Sequence, residues 1–464
     1  MREELLLKKK RRGRKIRFIK WIFLLWIVYT VACGTIPPFF HKMAADPEAA
    51  QADVGQPERV RSIDDNREAL LWRLRLIGEA QESVVLCTFD FRDDDSGCDM
   101  MAALFDAAER GVDVRIMVDG INGTLYLTAS RIFRELAGHE NVQVKLYNPI
   151  NLLMPWKLNY RMHDKYLIAD DLAYILGGRN TNNLFLGDYV DSYNEDRDIL
   201  VYETVPGEGS SYLRLREYFE RIWELPCAKV YKRPAYGQEF LNEYYRTVRE
   251  RYPEAFAGTD WEKETTAAEK VELCTNPMEP VNKPPLLWKR MLRELDQQED
   301  ILIQTPYIIC SREMYRDLAD LSSRGVQIIT NAVESGANPF GCTDYLNQKK
   351  NIYGTGAHVY ERLGTQALHT KTILAGDSIS IVGSCNMDMR SIYLDTEMML
   401  VIESGELNRQ LREQAEELKK QSRHVYPDGR AEDGENYTPL KQGIGKKILY
   451  GVLRVLVIPF RHLL

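Results

Sequence analysis

The sequence predicts an α/β fold of two repeats, each a mixed β-sheet flanked by helices, with one active site between them. Four observations predict it. A His-x-Lys pair opens an apolar stretch twice, at His163-Asp164-Lys165 and at His369-Thr370-Lys371. In both copies a glycine and an asparagine follow at the same distances, Gly177 and Asn180 in the first and Gly383 and Asn386 in the second. Helix-like and strand-like patterns also alternate in the same order ahead of each copy. Finally, 464 residues at 44% hydrophobic are enough to bury two cores.

Residues 1–41 read as a basic N-terminus and a transmembrane anchor. The first twenty residues carry ten Lys/Arg against two Glu, and the next twenty carry no charge. Twenty apolar residues match the thickness of a hydrocarbon core. The basic flank is expected to stay cytoplasmic, which puts the body outside. A cleaved signal peptide and a lipoprotein-like site at Cys33 remain open as readings of the same stretch. Residues 42–60, rich in Ala, Asp, Gln, Glu and Pro, read as a flexible stalk.

The first domain is placed at 61–226. Ser62-Ile63-Asp64-Asp65 resembles a helix cap, and Leu70, Leu71, Leu74, Leu76 and Ile77 suit an amphipathic helix. A strand over 84–91, a helix over 100–110 and a strand over 112–118 follow. After His163 comes a hairpin over 166–169 and 172–176. Residues 227–283 read as a bridge unlike either repeat, its Tyr244, Tyr245 and Tyr252 more in keeping with packing than with lipid binding. The second domain, 284–404, restates the order: helix 286–295, strand 301–304, helix 314–323, strand 326–330 and hairpin 372–375 with 379–382. Residues 405–464 hold a solvated closing helix over 405–421, then a segment over 441–464 with five Lys/Arg, no acid and many aliphatic residues. That last segment suits the interface of an anionic bilayer; packing on the body is the alternative.

The net charge of −7 is unevenly placed, for the basic first twenty residues leave the rest strongly acidic. An acidic body argues against a nucleic-acid channel. Of the eight cysteines, Cys87, Cys310 and Cys385 read as core residues, while Cys98, Cys227, Cys274 and Cys342 fall in expected loops, where pairing stays open.

On a strand, residues two apart share a face, so His163 projects with Lys165 and His369 with Lys371. Two His, two Lys and two Asn brought together suit a tetrahedral phosphorus centre. One neutral imidazole attacks phosphorus while the other protonates the leaving oxygen. Lysines and asparagines hold the non-bridging oxygens. This chemistry needs no cofactor, and no carboxylate-rich cluster, Cys-x-x-Cys pair or His-Glu-x-x-His helix suggests a metal.

The paired motifs resemble the signature of the phospholipase D superfamily, His-x-Lys, four residues, Asp, six residues, Gly-(Gly/Ser)-x-Asn. The first copy fits throughout, with Asp170 as the acid. In the second, Gly376 occupies the acidic position and Asp377 follows one residue late. The run Asn386-Met387-Asp388-Met389-Arg390-Ser391, with Thr305-Pro306-Tyr307, is similar to bacterial cardiolipin synthases. The resemblance spans roughly residues 60 to 404. It implies His163, Lys165, Asp170, His369, Lys371 and Asp377 as the catalytic set, although the motif Asp is largely structural in this superfamily. It further implies Gly178, Asn180, Ser384 and Asn386 around phosphate, and Asp198 and Glu397 as the carboxylates that orient the imidazoles. Surface salt bridges are the other reading of those two acids. The activity implied is phosphatidyl transfer between phosphatidylglycerol molecules at a membrane, with no nucleic acid and no obligate protein partner. A phospholipase D-type hydrolase, an anchored nuclease and a non-catalytic membrane scaffold are the rivals.

Overall fold

The computed structural model describes residues 2–40, 55–203, 207, 209–232, 240–336, 338–440 and 443–464, and for residues 2–13 the backbone alone. Most of the expected stalk, 42–54, lies outside these residues.

Nineteen strands are described: β1 Gln56–Ile63, β2 Ser83–Thr88, β3 Asp113–Asp119, β4 Val142–Tyr147, β5 Tyr166–Ala169, β6 Ala173–Gly177, β7 Asn194–Glu195, β8 Asp198–Tyr202, β9 Ala228–Val230, β10 Thr266–Thr275, β11 Leu302–Gln304, β12 Gln327–Asn331, β13 His358–Arg362, β14 Ala367–Leu368, β15 Thr372–Ala375, β16 Ile379–Gly383, β17 Met398–Glu403, β18 Ser422–Val425 and β19 Ala431–Asp433. In the first half they run side by side as β9-β4-β3-β2-β5-β6-β8-β1. The second half repeats the order as β18-β13-β12-β11-β15-β16-β17-β10. In both, the three strands that precede the motif are parallel, and the motif hairpin joins them antiparallel. Strands β1 and β10 pair antiparallel, which fuses the halves into one 17-stranded sheet.

Helices cover the outer faces and close two cores. The helix Asn66–Glu79 is N-capped by Asp65, whose side chain accepts from Glu68 N, and it buries Leu70, Leu74, Leu76 and Ile77 as its spacing predicts. The helix Asp95–Glu109 lies beside it in the first core. The second core gathers Leu287, Trp288 and Met291 with Met314 and Leu318. A third cluster, from Val60, Val271, Leu400 and Ile402 to Leu407 and Leu411, fills the seam between the halves.

Two expected boundaries move. Residues 56–60, expected in the stalk, are strand β1 with Val60 and Glu58 turned inward. The buried Glu58 hid the alternation; its carboxylate is satisfied by Ser211 N and Oγ, and burial still raises its pKa to about 7. The bridge also dissolves. β9 edges the first sheet, the helix Phe240–Arg251 buries Leu241, Tyr245 and Val248 in the first core, and β10 is the seam strand of the second half. Tyr245 and Tyr252 are packing residues. All eight cysteines are free thiols, and Cys98, Cys274 and Cys342 sit buried on a helix, a strand and a helix rather than in loops.

The N-terminal helix runs Arg2–Phe39, and its portion Arg14–Phe39, which contains an 18-residue window of mean hydropathy 1.8 with no buried residue, is long and apolar enough to cross a membrane. At the other end, the helix Ile444–Leu456 packs on the body by one face and leaves the other exposed. Tyr450 and Val457 are buried, with Tyr450 in the second core, while Ile444, Ile448, Val452 and Val455 form an exposed apolar stripe.

Candidate active site

Each motif histidine sits just before the first strand of its hairpin, and each is held by the other half of the chain. The His163 backbone N–H donates to Thr396 O at 3.3 Å, and its ring Nδ1 lies 2.8 Å from Glu397 Oε1. The His369 N–H donates to Glu195 O at 2.7 Å, and its Nδ1 lies 2.5 Å from Asp196 Oδ2. Short cross-half pairings set this up: β7 runs parallel to β14, and Met162 bridges Thr396. An aromatic edge backs each ring, Phe89 on His163 and Phe185 on His369, both at 5.0 Å. With Nδ1 occupied, each Nε2 is the nitrogen left for chemistry.

Sequence and structure part company over one acid. Asp198, expected to orient an imidazole, instead pairs with Arg73 at 2.8 Å and Arg179 at 3.4 Å inside the first half. Asp196 takes the orienting position. The cause is strand register: Gly177 pairs with Asp198 and Gly383 with Met399, so the counterpart of Glu397 is two residues before Asp198. Matching the two short acidic runs by their last residue chose the wrong one. The aligned motif glycines would have found Asp196, had the first half not carried five more residues between motif and acid.

Two further expectations are corrected. Asp170 lies at the far end of β5 from His163, with φ at +50°, and its carboxylate accepts from the backbone N–H groups of Gln81, Glu82 and Ser83, each at 2.8 Å. It ties a turn and reaches no reacting group. Gly376 takes that turn position in the second half at φ +52°, which leaves Asp377 exposed on the surface. Gly178 and Ser384 serve the acids. The Gly178 N–H donates to Arg197 O, and a Cβ there would lie 2.2 Å from Asp196 Oδ1, so only glycine admits the carboxylate. Ser384 Oγ donates to Glu397 Oε2.

The remaining candidates converge. Lys165 and Lys371 are buried beside the rings. Burial lowers Lys165 to about 8, against the pull of Glu397 and with Lys371 adding to the drop. Burial and Lys371 lower His369 to about 4, although Asp196 opposes them. Burial and both lysines press His163 well down. Asp196 would be raised by burial, but Lys371 and His369 outweigh it and hold it at about 2. Glu397 goes the other way: burial outweighs Lys165 and the Ser384 bond and raises it. Burial and the lysines thus bias each ring toward the neutral form that a nitrogen nucleophile requires. Asn386 Nδ2 donates to Tyr307 Oη at 3.1 Å, while the side-chain oxygens of Asn180 and Asn386 are buried with no partner among the described residues. A cavity of about 220 Å³ opens beside His369 between Tyr307, Asn331, Tyr345 and Leu368. Downstream, Asp388 caps the helix Met389–Tyr393, and Arg390 holds Leu463 O.

The family model described as "Cardiolipin synthase, PLD-like domain" matches residues 74–223 and 291–419, more than half of the chain. The chain belongs to this phospholipase D-like family. It is 26% identical over 387 residues to cardiolipin synthase C of Escherichia coli (strain K12), covering 74% of this chain and 81% of that protein. It is also 26% identical over 340 residues to the major cardiolipin synthase of Bacillus subtilis (strain 168), covering 72% of this chain and 64% of that one. Phosphatidylserine synthase of Haemophilus influenzae Rd KW20 shares the fold at 14% identity, with a TM-score of 0.62 over 90% of this chain and 99% of that one. A cardiolipin synthase-like chain with a two-repeat phospholipase D-like fold, and one apolar N-terminal helix that fits an anchor, is thus established.

Proposed function

We propose that the chain is a membrane-anchored phosphatidyltransferase that makes cardiolipin from phosphatidylglycerol through a phosphatidyl-histidine intermediate. The observation that carries this is the pair of imidazoles, each fixed at Nδ1 by a carboxylate of the opposite half, with two buried lysines beside them. In the first step one neutral imidazole attacks phosphorus through Nε2, the bond from phosphorus to the headgroup glycerol oxygen breaks, and the other ring, entering the step as imidazolium, gives that oxygen its proton and is left neutral. In the second, a hydroxyl of another phosphatidylglycerol gives its proton to that imidazole and attacks phosphorus. The phosphorus–nitrogen bond then breaks. Lys165, Lys371, Asn180 and Asn386 bind the non-bridging oxygens, which carry the negative charge.

The choice of acceptor rests on the relatives' names and on the cavity beside His369. At about 220 Å³ it is below the range for drug-sized ligands and suits a small hydroxylated headgroup. Water is the competitor, and a well-oriented hydroxyl at an effective molarity of roughly 10⁵ M outcompetes it. The basic N-terminus stays cytoplasmic and the body works on the other side. Purified enzyme in phosphatidylglycerol bilayers without added metal should yield mainly cardiolipin and glycerol. Phosphatidic acid as the main product at every lipid density would make it a hydrolase instead.

A further inference from the structure

The body grips the N-terminal helix along its second half. Tyr29 Oη donates to Leu153 O at 2.9 Å, Asn159 Nδ2 donates to Gly34 O, His462 Nε2 lies 2.7 Å from Thr35 O, and Phe39 meets the His462 ring edge-on. Only residues 14–28 of the apolar portion stand clear. At 1.5 Å per residue they span about 22 Å, and Lys15, Arg17 and Lys20 occupy the near end. A hydrocarbon core is about 30 Å thick. The free stretch is too short to cross it, and the missing length is the part of the helix that the body touches along one side, where Val31, Ile36 and Phe39 remain exposed.

Two exposed apolar elements flank that part. Between β4 and His163, Ile150, Leu152, Leu153 and Met154 are exposed, Leu153 at 78%. Leu153 is the residue bonded to Tyr29, so this loop tip lies about ten residues deep along the helix from Phe39. The C-terminal segment reaches the helix end through His462 and carries the exposed stripe Ile444, Ile448, Val452 and Val455, with Lys447 and Arg454 exposed on the same helix. A charged or polar rim would forbid immersion; these residues favour it.

We infer that the body is partly immersed in the outer leaflet, with the loop 150–154 and the exposed face of the helix Ile444–Leu456 inserted among anionic lipids beside the anchor. The inference rests on the membrane-anchored reading above. It places the site at the level of lipid headgroups instead of above them on a tether, and the loop that dips into the lipid leads directly to His163.

Bromolipid quenching tests it on the full-length protein in phosphatidylglycerol bilayers. Bimane is attached at Leu25→Cys, Leu153→Cys, Val455→Cys or Gln410→Cys, with the half-buried Cys33 and Cys227 changed to Ser. Quenching at positions 25, 153 and 455 but not at 410 is the expected result. Quenching at 25 alone overturns the immersion; a disulfide-linked dimer through Leu153→Cys under the same conditions would show a second copy covering the surface. No quenching at 25 overturns the anchor itself and the immersion with it. In parallel, the double change Leu152→Asp, Leu153→Asp should cut turnover of bilayer phosphatidylglycerol at least tenfold and spare that of a monomeric short-chain phosphatidylglycerol. Equal loss on both substrates, or no loss on bilayers, would also overturn it.

Discussion

Asp196→Asn is the sharpest test of the site, because sequence reasoning favoured its neighbour Asp198. In the folded protein Asp196 is held from an ordinary 3.8 down to about 2 against its own burial, chiefly by Lys371 and His369. At 1.36 kcal/mol per pH unit that is on the order of 2–3 kcal/mol favouring the carboxylate. For a carboxylate with a depressed pKa this contribution is complete above pH 3.8 and is lost as pH falls through about 2, so at pH 7 all of it is in play. In the proposed reaction His369 gains or keeps a proton in each transition state, and that charge leans on Asp196. Losing the interaction should therefore slow turnover on the order of 100-fold as a minimum, and up to roughly 10⁴-fold if the neutral amide also selects the wrong tautomer. Asp198→Asn breaks a buried pair with Arg73 and Arg179, which should cost about 3–5 kcal/mol of stability. Turnover per folded molecule should then stay within a few-fold. The assay is kcat/KM on phosphatidylglycerol bilayers, measured well below each variant's melting point, with the folded fraction fixed by circular dichroism. An Asp196→Asn enzyme within threefold of wild type, or an inactive but fully folded Asp198→Asn enzyme, would refute the crossed arrangement.

Four further outcomes are expected. His163→Ala and His369→Ala should each nearly abolish product formation by the purified enzyme, and the double variant should be no worse than either, since the two rings act as one unit. Asp170→Ala removes three backbone hydrogen bonds and should cost about 2 kcal/mol, seen as a lower Tm with kcat nearly unchanged, while Asp377→Ala should alter neither. Turnover should fall as pH rises through the pKa of Lys165, about 8, where phosphate loses a cation, and Lys165→Arg should extend that alkaline limb. A cysteine introduced at position 49 should react with an impermeant maleimide in intact cells, and labelling only after permeabilisation would reverse the orientation proposed from the charge asymmetry.

Much of this architecture was legible because it is written twice. The identical spacing of His, Lys, Gly and Asn fixes both hairpins, and the alternation ahead of them fixes the order of helices and strands to within a few residues. What escaped is what depends on contact between the halves. β1 reads as stalk because a buried glutamate and two arginines break its apolar alternation, and Glu58 is satisfied only by Ser211, 153 residues away. β10 reads as bridge because nothing local shows that it pairs with both β1 and β17. Asp196 escaped for the same reason: its role is to hold a ring 173 residues downstream. Gly178 and Ser384 were legible as special positions but not in their purpose, since the groups they admit and hold arrive from other strands.

The crossing also breaks an equivalence that the motifs suggest. In chain order His163 and His369 carry the same local equipment, so sequence offers no ground for giving them different parts. Their partners differ in charge. Asp196 is pinned ionised by Lys371 and His369, whereas burial drives Glu397 toward its neutral form, with Ser384 bonded to its second oxygen. An imidazolium forms more readily beside an anion than beside a neutral acid. Burial and the lysines press both rings down, and for His369 the ionised Asp196 opposes them. In the proposed reaction the ionised Asp196 favours the imidazolium on His369, the ring that borders the 220 Å³ cavity. Charge and shape point to the same side of the site although they arise independently, one from a carboxylate in the first half and the other from the packing of the second.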